Sequence, residues 1–161
     1  MSLASEGKRE ITLRFLAQPT DVNFGGKVHG GSAMKWLDQA GYLCSTGWSG
    51  RYCVTAFVGD INFHNPILVG DLVEVDAKII HTGRTSMHIG VTLNSCNPKQ
   101  CEFSKSIHCI MVFVALDEGG KPVEVPQWQA EDEADIAMEK YAIRIMDLRC
   151  INQKELDVLI K

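Results

Sequence analysis

From residue 72 to 81 the chain alternates. Val73, Val75, Ala77 and Ile79 fall on one side and Glu74, Asp76 and Lys78 on the other, which predicts a half-buried β-strand. After the polar turn "HTGRTS", Met87, Ile89, Val91 and Leu93 repeat the pattern. Residues 103–115 predict the longest strand, apolar on both faces near its end. Residues 52–63, rich in β-branched and aromatic side chains, predict another. "TLRFLA", residues 12–17, reads as a short first strand ended by Pro19, and "DEGGKP" closes the sheet region.

Two segments carry the helical period instead. Over residues 31–46, Ala33, Met34, Trp36, Leu37, Ala40, Gly41, Leu43 and Cys44 share about half the circumference at 100° per residue. Lys35, Asp38, Gln39 and Tyr42 take the rest, with Asp38 at the border beside Met34 and Gly41. So wide an apolar face suits a helix pressed onto a sheet. From residue 130 a second amphipathic helix is predicted, with Ala134, Ala137, Met138, Tyr141, Ile145 and Leu148 on one stripe, and the last dozen residues are expected to form a mobile tail. The order of strand, long helix and four largely antiparallel strands gives an α+β fold, one long helix wrapped by one curved sheet. Such a sheet leaves an edge to cover, and pairing with a second copy would cover it.

Directly before the first helix, "NFGGKVHGG" puts four glycines into nine residues. Glycine lets backbone approach a ligand closely, and a helix N-terminus presents unpaired N–H groups at the positive end of a dipole. His29, Gly30 and Gly31 thus place donors where negative charge could develop, as in an oxyanion site. Asp38, two turns on, is a candidate base or nucleophile, and Asn23 could orient a water or a carbonyl. The plainer alternatives are a turn made by glycines and a solvated aspartate at a helix border.

Composition narrows the class. One hundred and sixty-one residues suit one domain, and 45% hydrophobic with 22% charged residues is ordinary for a globular chain. A formal net charge of −4 argues against a nucleic-acid module, while leaving room for a local cationic patch facing an anionic ligand. No apolar run approaches the ~18 residues needed to span a bilayer and the N-terminus shows no signal-peptide core, so a cytoplasmic protein without membrane partners is expected. Free thiols are the expectation for the six cysteines, and "CNPKQC" lacks the second pair a zinc finger needs. His64 reads as a turn residue, and His81, His88 and His108 as structural or surface residues without ligand spacing.

Asn23 followed by Gly26, then "VHGG", then six residues to Asp38, then "AG", resembles the acyl-CoA thioesterases of the hotdog fold, of the YciA and brain acyl-CoA hydrolase type. "LAQPTDVNFGG", "FHNPILVGDLVEVDAKI" and "GRTS" extend the resemblance over roughly residues 10–120. It implies a hotdog domain over residues 1–126; the helical extension expected over 127–161 rests on the apolar stripe of the second helix, outside the resemblance. The resemblance also implies a homodimer with sites at the interface, often assembled into hexamers, and hydrolysis of acyl-CoA to a fatty acid and CoA. Asn23 and Asp38 match the family's catalytic pair, drawn from opposite protomers. His29, Gly30 and Gly31 match the segment that holds the thioester carbonyl. Gly83, Arg84, Thr85 and Ser86 match the turn that contacts CoA. No metal or redox cofactor is implied. Asp60 and Asn62 in "GDINF" depart from the family pattern, where a small residue and Thr are common. Two other functions suit the same scaffold, a non-catalytic acyl-CoA-binding or regulatory domain and a dehydratase of acyl thioesters.

Overall fold

A computed structural model describes residues 8–160. Strand β1 (Glu10–Leu16) leads through a single 3-10 turn (Pro19–Asp21) and the glycine loop into helix α1 (Gly30–Ser49). Strands β2 (Tyr52–Val58), β3 (Asn62–Phe63), β4 (Leu72–Thr82), β5 (Ser86–Cys96) and β6 (Ser104–Leu116) follow, and helix α2 (Glu133–Leu159) ends the chain. The sheet runs β1-β4-β5-β6-β2, antiparallel throughout, with β3 also paired to β6. The α+β architecture read from the pattern is present, with the long helix packed against the sheet.

The alternation dictates which face α1 meets. Val73, Val75, Ala77, Ile79, Met87, Ile89, Val91 and Leu93 form one core with Ala33, Trp36, Leu37, Ala40 and Cys44 of α1. Gly41 permits the closest approach, since a Cβ there would lie 2.5 Å from Phe113 Cε2. Gly50, at φ 66°, ends α1 in the left-handed conformation that favours glycine.

Three predicted elements differ in the structure. The strand expected over residues 52–63 is two strands, because the chain leaves the ladder between Val58 and Asn62, where only Gly59 N–H bonds back to Ile110 O. The helix expected over 31–46 continues to Ser49. The expected mobile tail is largely the end of α2, which continues to Leu159, while Lys161 lies outside the described residues. Helix formation there follows from a run free of Gly and Pro.

Helix α2 lies on the other face of the sheet, where Met138, Ala142 and Ile145 pack on Ile80 and Ile110. Asp132 caps it by accepting from Asp135 N–H. Asp135 accepts two bonds from the Arg9 guanidinium, at 2.8 and 2.5 Å, and Lys78 Nζ stands 3.6 Å away. Arg9 also stacks over Trp128, and Arg149 over Phe57, each 4.4 Å from the ring centre. The helix therefore spans from the β1 side of the sheet to β2. The strap before it is pinned by Trp48 Nε1 donating to Pro126 O and by Trp128 N–H donating to Thr82 Oγ1. No helix of the described residues is long and apolar enough to cross a membrane.

Candidate active site

The turn residues before α1 build the first half of the site. Asn23 closes the glycine loop on itself: its N–H donates to Lys27 O at 2.7 Å, and its Oδ1 accepts from Gly25 N–H and Lys27 N–H at 2.9 and 3.3 Å. With the amide oxygen so engaged, Nδ2 remains as the outward donor. Gly26, at φ 76°, makes the turn possible. His29 caps α1, its Nδ1 accepting from Gly31 N–H at 3.1 Å. That bond occupies one of the two glycine donors anticipated from the sequence. Gly30 N–H has no partner among the described residues, so it is the donor left for a ligand.

Asp38 builds the second half. It sits on the border of α1, half-buried, and Thr55 Oγ1 on β2 donates to its Oδ1 at 2.5 Å. Its Oδ2 has no partner among the described residues. Around it lies an apolar cavity of about 390 Å³, lined by Met34, Leu37, Val58, Ile61 and Met111. Asn23 lines a different cavity, of about 300 Å³, with Lys27, Phe63 and His64. The two cavities share no residue, and Asp38 lies eight residues, or about 12 Å, along α1 from Gly30. One chain does not bring Asn23 and Asp38 into one cavity.

The turn Gly83–Arg84–Thr85–Ser86 joins β4 to β5 and is held from several sides. Gly83 N–H bonds to Ser86 O, Thr85 O accepts from Ala115 N–H, Arg84 O accepts from Val125 N–H, and Gly83 O accepts from Gln127 Nε2. The Arg84 guanidinium itself is held only by Glu124 at 3.8 Å, both side chains being about three-quarters exposed. Among the described residues no group of three His, Cys, Asp or Glu side chains is placed to hold a metal ion.

Thr55 is the functional candidate that sequence reasoning missed. A threonine in a β-branched strand looks like strand propensity, and its pairing with Asp38 depends on the helix crossing β2. Strand β2 is also an edge. It pairs with β6 on one side only, and Tyr52, Thr55 and Ala56 are exposed along it. Phe24 beside Asn23 is fully exposed, and Met34, Leu43 and Phe63 are also uncovered.

Residues 25–102 match the thioesterase superfamily. An acyl-CoA thioester hydrolase of Zymomonas mobilis, itself described as uncharacterized, is 36% identical over 117 residues, 73% of this chain and 78% of that protein. The acyl-CoA thioester hydrolase YciA of Salmonella typhimurium is 30% identical over 120 residues, 73% and 90% of the two chains. Among solved structures, an apo-hexameric acyl-CoA thioesterase superposes with a TM-score of 0.86 at 28% identity, covering 91% of this chain and 95% of that one. With an antiparallel sheet packed on one long helix and these relatives, the chain belongs to the hotdog-fold thioesterase superfamily.

Proposed function

We propose that this protein hydrolyses acyl-CoA thioesters to a carboxylic acid and CoA, at a site composed of two protomers. The observation that carries the reading is Asp38, held through one oxygen by Thr55 at the mouth of an apolar cavity, with its other oxygen free. The relatives' acyl-CoA thioester chemistry supports the substrate class.

The chemistry follows from the groups at hand. Asp38 Oδ2 takes a proton from a water, which adds to the thioester carbonyl. Gly30 N–H and the Asn23 amide donate to the resulting oxyanion. Collapse expels the thiolate, which leaves without acid assistance because its conjugate thiol has a pKa of roughly 8.5. The scheme calls for no metal or redox cofactor.

Pairing two β2 edges about a two-fold axis would extend the sheet and run the two α1 helices in opposite directions. Asp38 and Thr55 of one protomer would then approach Asn23 and Gly30 of the other. The separate cavities and the exposed Phe24, Met34 and Tyr52 favour this arrangement. Assembly of such dimers into hexamers is proposed from the hexameric relative. The rigid turn Gly83–Ser86, with Arg84 free to reach out, is proposed to contact the phosphates of CoA.

A thiol-release assay across acyl chain lengths tests the reading. Turnover of saturated acyl-CoA, with no hydration of an enoyl-CoA, is expected. Binding of acyl-CoA without thiol release would instead make the protein a non-catalytic acyl-CoA-binding domain.

A further inference from the structure

The apolar stripe expected on α2 divides in the structure. Met138 and Ile145 pack on the sheet, whereas Ala134, Ala137, Tyr141 and Leu148 are exposed. Beyond Arg149, which stacks over Phe57 of the edge strand β2, every residue from 150 to 160 is exposed. Ile151 and Val158 on that stretch are 54% and 71% exposed. The helix thus carries apolar side chains that the sheet does not cover, over roughly its last five turns.

These side chains have the spacing of a helix seam. Tyr141, Arg144, Leu148, Ile151, Glu155 and Val158 follow one another at alternating steps of three and four residues, and all six are exposed. At 100° per residue they centre about 150° around α2 from the sheet-facing stripe of Asp135, Met138, Ala142, Ile145 and Arg149. They therefore look away from the sheet.

Laid antiparallel against a second copy, this stripe is complementary to itself. With a two-fold axis between residues 149 and 150, Tyr141 meets Val158, Leu148 meets Ile151 and Arg144 meets Glu155, each pair being formed twice. The same register sets Asp147 beside Lys154 on the flank. Arg144, Asp147, Lys154 and Glu155 form no salt bridge among the described residues, so all four are available to a partner. A parallel pairing in register would instead set Arg144 on Arg144 and Glu155 on Glu155. A lipid surface suits the stripe less well, because a helix that lies on membranes is rich in cations on its polar face. Residues 141–159 carry Arg144, Arg149 and Lys154 against Asp147, Glu155 and Asp157, which balance.

We infer that the outer face of α2 pairs with the same face of a second copy of this chain, as an antiparallel two-helix seam over residues 141–158. The seam is separate from the β2 edge and from the hydrolytic site, and it rests on neither.

The test is the mass of the full chain by sedimentation across a concentration series, with circular dichroism to confirm folding. Arg144→Glu and Glu155→Arg each set like charges against one another in two layers of the seam. Each should raise the concentration at which the largest assembly dissociates by about tenfold or more, and Ile151→Glu should do the same. Combining Arg144→Glu with Glu155→Arg restores opposite charges in both layers and should return the wild-type mass. Masses unmoved by all three single substitutions overturn the seam, and so does a double variant no better than its parents. Wild-type binding to phosphatidylserine vesicles that Ile151→Glu abolishes, with no change of mass in solution, would give the stripe to a membrane and overturn the seam as well.

Discussion

Thr55 Oγ1 donates to Asp38 Oδ1 at 2.5 Å, joining the edge strand of the sheet to the helix that lies across it. A hydroxyl on one carboxylate oxygen fixes which oxygen faces the cavity. Asp38→Asn is expected to lower kcat about a hundredfold or more, the range for loss of a general base, while acyl-CoA still binds. Thr55→Val should lower kcat by roughly tenfold, as expected for losing a hydrogen bond to a charged group. Thr55→Ser should retain most of the activity. Steady-state kinetics check all three, and an Asp38→Asn protein with half the wild-type kcat would remove Asp38 from the mechanism.

The composite site makes a complementation prediction. Asn23→Ala and Asp38→Ala should each be inactive, whereas a mixed dimer holds one site with both wild-type residues. Random mixing makes about half the dimers mixed, so roughly a quarter of wild-type activity should return after co-refolding. Mixed dimers demonstrated by mass that stay inactive would show that the two residues act within one chain.

Arg84 reaches into solvent with only a distant Glu124 beside it. Arg84→Ala should therefore leave stability within about 1 kcal/mol of wild type. It should raise KM more than it lowers kcat, because a phosphate contact is shared by ground and transition states. The difference should narrow at high salt. An unchanged KM at low ionic strength would put the CoA phosphates elsewhere.

Gly41 faces Phe113, with a Cβ at that position meeting ring carbons at 2.5 and 2.9 Å. Alanine raises helix propensity by about 1 kcal/mol, but the forced shift of a buried ring is expected to cost about 1–3 kcal/mol. Gly41→Ala should thus be net destabilising in urea unfolding. A more stable variant would show that the ring moves freely.

Asp135 is 4% exposed, and the Arg9 guanidinium holds its carboxyl below the usual range, against the opposing effect of burial. A depressed folded-state pKa stabilises above the unfolded value, and that contribution is lost as pH falls through the folded value. The Tm of Asp135→Asn should lie below wild type by a constant amount from neutral pH down to about 4, the ordinary carboxylate pKa. Below that the gap should close. A gap independent of pH down to complete acid unfolding would mean that the charge of Asp135 is not what docks α2.

The alternation over residues 72–93 and the wide apolar face of α1 were sufficient, as sequence, to specify strands, helix and the side each would bury. A period of two and a period near 3.6 leave few ways to pack one against the other. The glycine loop, the helix start and Asp38 at a face border were legible for the same reason, each being a local property of backbone or helical phase. The turn at residues 83–86 was legible as a polar break between two alternating strands, whereas a CoA-contacting role for it came only from the family resemblance.

What depended on contacts distant in sequence was not legible. Thr55 meets Asp38 only because β2 lies beside α1 in the fold. Engagement of Gly31 N–H by the His29 ring is a choice among caps that the letters leave open. The passage of α2 across the sheet from Arg9 to Phe57 follows from an ion pair spanning 126 positions and a stacked guanidinium. The separation of Asn23 and Asp38 into two cavities was likewise decided by distant residues, Phe63, His64 and Ile67 lining the first and Val58, Ile61 and Met111 the second. Local periodicity determines elements and faces, whereas partners distant in sequence are decided only when those faces close on one another.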